Sequence, residues 1–557
     1  MASSGNFGVW NPLNVGSGGS TSLTVGNTNA VMTGADPRTT GTVGGVISDT
    51  DGYYFETVAT STGSGALTLG IVNEARHNQC MAGQIHSRSG SFMWRGYDGG
   101  AFFVETSSNT SYGTFADGDV IGWFVKNSKL YVKKNNSDVV GDVVNTSAGI
   151  DISGGFFFPA VSRTVGGGAQ TSSILRTDSD DWSYSPPTGF KSLTSKDMLV
   201  DSNIDPAGDD GADDNPTKQF NTVIWDGNQT DDRAITGVGF KPDLVWIKQR
   251  IGSSNPNIVT DSSRGATKRL EPNVAIVEHT DTDGLKSFTS DGFTLGTNDK
   301  YNWTSGWTYV GWCWKANGGT TSSNSSGDIT STVQANTKGG FSIATYTGNG
   351  GVAQSIGHGL SSGAPEFIIV KNRSQADAWA VYHVGTGNAA HLILNSYASQ
   401  VTSSAYWGSF TPTTTLFKVG SDHKLNASSE NYVAYLWHGV EGSSRFSTYT
   451  GNGNSDGTFV YTGFRPRMIF TKRYDGGSEN WGVFDTARAF YNPTSAHSDG
   501  QLVWDTNGLA TAGSTHGVDF LSNGFKLRGT GGLNNQSGGE YIYGAWGDVP
   551  FKYNNTF

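Results

Sequence analysis

Apolar residues recur along this chain in short, strand-length runs, with no sustained 3.6-residue spacing of the kind an amphipathic helix needs. YYFETVAT (53–60) and GALTLGIV (65–72) are β-rich runs separated by a Ser/Gly turn. GDVIGWFVKNSKLYVKKNN (118–136) predicts a hairpin, with residues 120–125 as one strand, Asn127-Ser128 at the turn, and Leu130-Tyr131-Val132 opening the next. GFFFPAVS (155–162) reads as a further strand, and WSYSPPTGFKSL (182–193) closes the region through a Pro-Pro-Thr-Gly turn. Residues 1–195 are therefore expected to form one antiparallel β-sandwich.

A second pattern repeats. GVGFKPDLVWIKQR (237–250), SGAPEFIIVKNR (362–373) and TGFRPRMIFTKR (462–473) each place a turn before an apolar run that exits on a basic pair. Their prolines, Pro242, Pro365 and Pro466, lie 123 and 101 residues apart. Upstream stand WDGNQ (225–229), YTGNG (346–350) and YTGNG (449–453); downstream come DSSRG, VYHVGTG and FDTARA. SFTSDGFTLG, TLFKVGSD and DFLSNGFKLRG follow, then YVGWCW (309–314), YVAYLW (432–437) and YIYGAW (541–546). Landmarks kept in one order mean internal duplication. Leu244-Val245-Trp246-Ile247 is apolar on both faces, which predicts a central strand covered on both sides. Asp-Gly-Phe and Asn-Gly-Phe are turn dipeptides leading into strands.

The fold class is all-β: four consecutive antiparallel β-sandwich domains, the last three related by duplication. The expected boundaries are 1–195, an acidic linker at 196–215, and repeats at 216–320, 321–440 and 441–557, strung as beads. In the linker, KDMLVDSNIDPAGDDGADD carries seven Asp and one Lys. That is a solvated tether, with a calcium loop as the alternative, although the ordered spacing of an EF-hand is missing.

A chain of 557 residues exceeds one hydrophobic core. Its 78 Gly and 35% hydrophobic content suit many short strands and turns. The net charge of −11 argues against a general nucleic-acid binder. Cys80 and Cys313 are too few and too far apart for a disulfide scaffold or a zinc site. No apolar run is long enough to span a membrane, and the N-terminus carries no secretory signal pattern. A protein of this kind working outside a cell is expected to leave by lysis or inside a particle.

The sequence carries no nucleophile elbow, no His-Glu-x-x-His and no phosphate loop. His358, His383 and His391 fall in one copy without a Cys or carboxylate frame, so no metal and no cofactor are expected. The basic pairs (Lys248/Arg250, Lys371/Arg373, Lys472/Arg473) suggest an anion site or strand ends meeting water. Asp261/Arg264 and Asp485/Arg488 offer internal ion pairs in the first and third copies. Two aromatic stretches are candidate ligand platforms: SFMWRGYDGG, with Trp94, Arg95, Tyr97 and Asp98, and YNWTSGW, with Trp303 and Trp307. Packing between strands is the alternative for each.

Two resemblances add to this reading. The order YYFETV, LTLGIV, GDVIG, FFFPAVS and YSPPTGFKSL over about residues 40–195 resembles a SPRY domain, which implies a β-sandwich that binds partners through loops and implies no catalysis. Residues 216–557, with GVGFKPDLVWIKQR, DSSRG, SFTSDGFTLG, YVGWCWKANGG and GAWGDVPFKYNN, resemble repeat modules of tailed-bacteriophage structural proteins. The second copy departs from that pattern, with His383 and no following Arg. The resemblance implies a non-enzymatic virion protein, made in the host cytoplasm, most simply a tail fibre that recognises a host surface glycan or receptor. A capsid decoration, head fibre or tail scaffold binding only other virion proteins is the alternative, and a polysaccharide depolymerase a more distant one. Other virion proteins, such as a tail adaptor or the capsid, are the implied partners, with homo-oligomerisation, threefold in the simplest case.

Overall fold

A computed structural model of the chain describes residues 9–194 apart from short internal stretches, together with 215–488, 501–510 and 515–548. The architecture is nearly all β, built of antiparallel sheets, and divides into two compact units, the first holding the described residues up to 194 together with Thr458–Gly463 and the second the remaining described residues. Among the described residues, no helix is long and apolar enough to cross a membrane.

The first unit is the expected sandwich. One sheet centres on Phe156–Arg163 and Leu67–Asn73, the other on Tyr53–Ser61, Val120–Lys126 and Thr171–Arg176. Alternation along Tyr53–Ser61 sends Tyr53 and Phe55 into the core between the sheets, with Trp123, Leu69 and Phe157. Tyr54 points the other way, into a smaller cluster with Phe124 and Tyr131 that the closing segment covers with Trp182 and Phe190. Glu56 is fully buried there. Its carboxylate accepts from Tyr54 Oη at 2.9 Å and from the amides of Ser183 at 2.8 Å and Tyr184 at 2.9 Å. Those bonds latch the Pro-Pro-Thr-Gly segment over the outer face of the sheet, since a buried carboxylate must find donors.

In the second unit each copy has a main sheet with the same wiring. The first strand pairs with the last, the last with the strand after the proline, and that strand with the next one: Phe220–Asp226, Thr308–Trp314, Leu244–Ile251 and Ile258–Asp261 in copy one. Phe341–Thr347, Asn431–Trp437, Phe367–Asn372 and Ala380–His383 repeat it in copy two. Ser444–Thr450, Glu540–Gly547, Pro466–Arg473 and Gly482–Asp485 repeat it in copy three. The post-proline strand is covered on both sides, as its sequence predicts. Val245 and Ile247 pack outward under a small second sheet with Phe293 and Leu295, while Leu244 and Trp246 face the other way.

What lies on that other side corrects the bead picture. The inner faces of all three main sheets share one core: Leu244, Phe367 and Met468 meet there with Trp314, Trp437 and Trp546. The three tryptophans form a closed edge-to-face triad, with ring centroids 5.7, 5.4 and 6.1 Å apart and planes at 65°, 72° and 74°. Phe220, Phe341 and Phe446 back them at 5.0, 5.0 and 5.4 Å. The copies are thirds of one body arranged with pseudo-threefold symmetry. A third taken alone would expose the apolar face that the other two cover.

Polar links run round the ring in the same sense. Tyr435 of copy two donates to Asp261 of copy one at 2.6 Å. Trp312 of copy one donates to Asp485 of copy three at 3.0 Å. His383 of copy two meets the Tyr543 carbonyl of copy three at 3.1 Å. Trp312, Tyr435 and Gly544 are equivalent, two residues before the triad tryptophan. A Cβ at Gly544 would sit 2.3 Å from Phe470 Cε1 and 2.8 Å from Phe446 Cε1, so copy three has no side-chain donor at that point. The missing Asp-x-x-Arg of copy two faces that glycine. Nδ1 of His383 accepts from the Gly385 amide at 3.0 Å, which leaves the Nε2 proton for the bare backbone.

Candidate functional site

The lysines of the basic pairs are absorbed by the interior, while Arg473 stays half-buried and pairs with Asp475 of its own copy at 2.6 Å. Lys248, Lys371 and Lys472 are completely buried. Lys248 Nζ donates to Asn257 Oδ1 at 2.8 Å and to the Thr506 carbonyl of copy three at 2.9 Å. Lys472 donates to the Tyr397 carbonyl of copy two at 2.8 Å and to that of Glu479 at 2.6 Å. Arg373 of copy two makes a bidentate pair with Glu278 of copy one at 2.8 and 3.0 Å. Burial pushes the Lys248 ammonium down to about 7, and those of Lys371 and Lys472 down to about 8. Asp505, whose charge lies near Lys248 and Lys472, is raised by burial to about 6. Lys248, Lys472 and Asp505 lie near one another inside the body, and Lys371 is held by the carbonyls of Asn372 at 2.6 Å and Gln375 at 2.9 Å, so the three ammoniums are already engaged within the chain.

The Asp-x-x-Arg elements are structural as well. Asp261 and Arg264 are fully buried in side chain and joined through Arg264 Nε, as are Asp485 and Arg488 at 2.6 Å. Each carboxylate also caps its arginine's amide, at 2.8 and 3.0 Å. Burial holds His358 and His391 down to about 4 and His383 down to about 3, so all three are neutral. Among the described residues, no three His, Cys, Asp or Glu side chains come together as a metal site. Cys313 is a buried thiol, pushed up by desolvation; Cys80 and the acidic linker, with its calcium alternative, lie outside the described residues.

The first aromatic candidate is not a surface platform. Trp94 is fully buried in the strand Ser91–Arg95. Its Nε1 donates to the carbonyls of Gly100 at 3.2 Å and Gly113 at 3.0 Å, and its ring meets Phe115 edge-on at 5.2 Å. Glycine-bounded flanks suggested a loop, but β-pairing with Ala101–Val104 turns the tryptophan inward. Arg95 is half-buried and rides over the Phe103 ring at 4.9 Å. Tyr97 and Asp98 lie outside the described residues.

The second candidate stands differently. Trp303 and Trp307 are half-buried, their ring centroids 6.0 Å apart and their planes at 46°. They sit on a turn whose framework recurs in all three copies. Asn302 Oδ1 accepts from the Asn228 amide at 3.0 Å, Asn426 Oδ1 from Asn349 at 2.9 Å, and Asn535 Oδ1 from Asn452 at 2.9 Å. Tyr309, Tyr432 and Tyr541 accept from the amides of Trp303, Ala427 and Gln536 at 3.0, 2.7 and 2.9 Å. Each tyrosine donates onward to a carbonyl, of Asp299, His423 or Gly532, at 2.7, 2.7 and 2.6 Å. The asparagines escape a pattern search because DKYNW, HKLNA and GLNNQ look like ordinary polar turns. Only the alignment of the three tyrosines brings them into register.

Between that asparagine and that tyrosine, copy one has six residues, copies two and three five. The longer turn holds both tryptophans; ASSEN and QSGGE hold no aromatic residue. The neighbouring loop is tied to it by Gly227 N to the Trp307 carbonyl at 2.6 Å and Gln229 N to the Trp303 carbonyl at 3.1 Å. Asp226, Asn228 and Gln229 of that loop are exposed.

Fold and site together define a β-sandwich joined to a body of three covalently linked, pseudo-symmetric thirds. The chain belongs to the family described as Domain of unknown function (DUF7483), whose family model matches residues 215–550, the span of that threefold body. No curated protein matches the chain. Among solved structures the chain is similar to the SPRY domain of human HERC1 (12% identity, 30% of this chain and 96% of that one, TM-score 0.24). A human SPRY domain is similar at 18% identity, over 29% of this chain and 97% of that one, with a TM-score of 0.23. Alginate lyase AlyC3 in complex with dimannuronate is similar at 11% identity, over 26% and 71%, with a TM-score of 0.19.

Proposed function

We propose that this chain is a non-enzymatic structural protein of a tailed-bacteriophage particle, a tail fibre or comparable appendage that contacts a host surface glycan or receptor. The particle part of this reading rests on the resemblance of residues 216–557 to phage structural modules. The observation that carries the non-enzymatic part is the use made of the polar side chains. Lys248, Lys472, Asp261, Asp485 and His383 bond from one third of the body to another, which is the work of a scaffold. The half-buried tryptophan pair supports a contact role over a purely internal one.

The test uses labelled full-length protein on intact cells of the host that the parent particle infects, with unlabelled protein as competitor. Saturable, competable binding is expected. Its absence would overturn the host-contact role and favour a capsid decoration, head fibre or tail scaffold that binds only virion proteins.

A further inference from the structure

The three copies are an internal control for what the turn after the buried asparagine needs in order to fold. Asn302, Asn426 and Asn535 hold their loops alike, and Tyr309, Tyr432 and Tyr541 close them alike. Copies two and three do this with Ala427 and Gln536 where copy one has Trp303. The framework therefore does not require the indoles. Trp303 and Trp307 are each only half-buried, and Trp307 lays one side against the core of its own copy while the pair keeps surface open to solvent.

We propose that Trp303 and Trp307 form a carbohydrate site that takes the apolar face of an uncharged pyranose. The inference rests on the host-contact reading above and names the chemistry of that contact. Two rings at 46° make a bent surface, suited to the face and edge of one sugar ring rather than to a flat strip of several. Ile251, half-exposed on the adjoining strand, pairs opposite Thr308, the neighbour of Trp307, and a Cβ on Gly252 would stand 2.9 Å from Trp307 Cδ2. Small, apolar and aromatic surface meets polar groups at one edge, the common make-up of a ligand site. That edge is supplied by Asn228 and Gln229, which offer amide donors and acceptors to hydroxyls, and by Asp226, which offers an acceptor. Asp231 and Asp232, further along the same loop, are exposed and share Lys286 at 2.8 and 2.6 Å. Three carboxylates outnumber the engaged Lys286 ammonium and the Arg233 guanidinium, which donates to the Asp226 carbonyl and to Asn302 Oδ1, so the loop repels uronates and sialates and leaves neutral sugars favoured.

The test is saturation-transfer NMR on the full chain with lactose, maltotriose and tri-N-acetylchitotriose as neutral probes and trigalacturonate as the acidic one. At least one neutral probe is expected to show transfer that falls more than fivefold in Trp303→Ala/Trp307→Ala, while Trp303→Phe keeps most of it. The double variant is expected to melt within a few degrees of the parent. No transfer to any neutral probe, transfer unchanged in the double variant, a preference for trigalacturonate, or loss of the cooperative melt would each overturn the proposal. Cell binding that persists in the double variant would overturn this site while leaving the host-contact reading standing.

Discussion

The indole N–H of Trp312 donates to Oδ2 of Asp485 at 3.0 Å, across 173 residues of chain and between the first and third thirds of the body. The same oxygen takes Nε of Arg488 at 2.6 Å, with both members of the ion pair fully buried. Asp485→Ala would remove the buried carboxylate that Arg488 Nε donates to, a loss of about 3–5 kcal/mol. Asp485→Asn keeps an acceptor for Trp312 and should lose less. Urea unfolding of the full chain separates the two, and equal losses would mean that the charge carries the whole effect and the retained acceptor none of it.

Trp437→Ala removes one member of the triad and should lower stability by about 3–5 kcal/mol. Its distinctive signature is spatial. Hydrogen exchange read by mass spectrometry is expected to lose protection in Phe220–Asp226 and Glu540–Gly547 as well as in the variant's own third. Loss confined to residues 321–440 would mean that the thirds are energetically separate.

Gly544→Ala places a methyl group against Phe470 and Phe446 at distances no carbon tolerates. The rings must shift at the centre of the shared core, which typically lowers stability by about 1–3 kcal/mol. Gly311→Ala meets only the edge of Trp225 at 3.0 Å and should be milder. Thermal melts of the two variants give the ranking, and the reverse order would refute it.

Burial holds Lys248 down to about 7 and Lys371 and Lys472 down to about 8. An unfolded lysine titrates near 10.4, so above those values the unfolded chain binds more protons than the native one. Stability should therefore rise with pH from 7 to about 8.5, below the range where an unfolded cysteine or tyrosine ionises and would oppose the trend. Asp505, at about 6, is largely ionised at the start of this window, and His358, His391 and His383, held down in the native protein, add to the rise near pH 7 as their unfolded counterparts finish titrating. Lys248→Met should flatten the part of the rise nearest pH 7. A melting temperature that falls steadily over this window would contradict the burial of these ammoniums.

The two tryptophan candidates separate cleanly by stability. Trp94→Ala opens a cavity in the first unit's core and should lose about 3–5 kcal/mol. Trp303→Ala should stay within about 1 kcal/mol. Chemical denaturation of both variants decides it, and equal losses would make Trp303 a core residue.

Much of this was legible in the chain and some was not, for reasons that lie in particular residues. Strand periodicity located YYFETV and the hairpin at residues 118–136, and the two-sided apolar run at Leu244–Ile251 announced a strand covered on both faces. It could not say by what. A second apolar face reads the same whether a small sheet of its own copy or two other copies cover it, because periodicity reports burial and not the partner. The basic residues following those runs suggested surface, since an ammonium is costly to bury; carbonyls from a neighbouring third make Lys248 and Lys472 tolerable, and those carbonyls leave no mark in sequence. Trp94 and Trp303 sit in similar aromatic, glycine-flanked stretches, and only strand pairing in one and a turn in the other tell them apart.

The triad of Trp314, Trp437 and Trp546 also bears on behaviour at high dilution. Three separate subunits meeting on such an axis would come apart as their concentration fell, and their melting point would depend on how much protein was present. Here the joints between thirds fix the local concentration of each for the others, whatever the bulk value. Being translated together also frees the thirds from identity: one can lengthen a turn and carry two indoles while its siblings keep the ring closed.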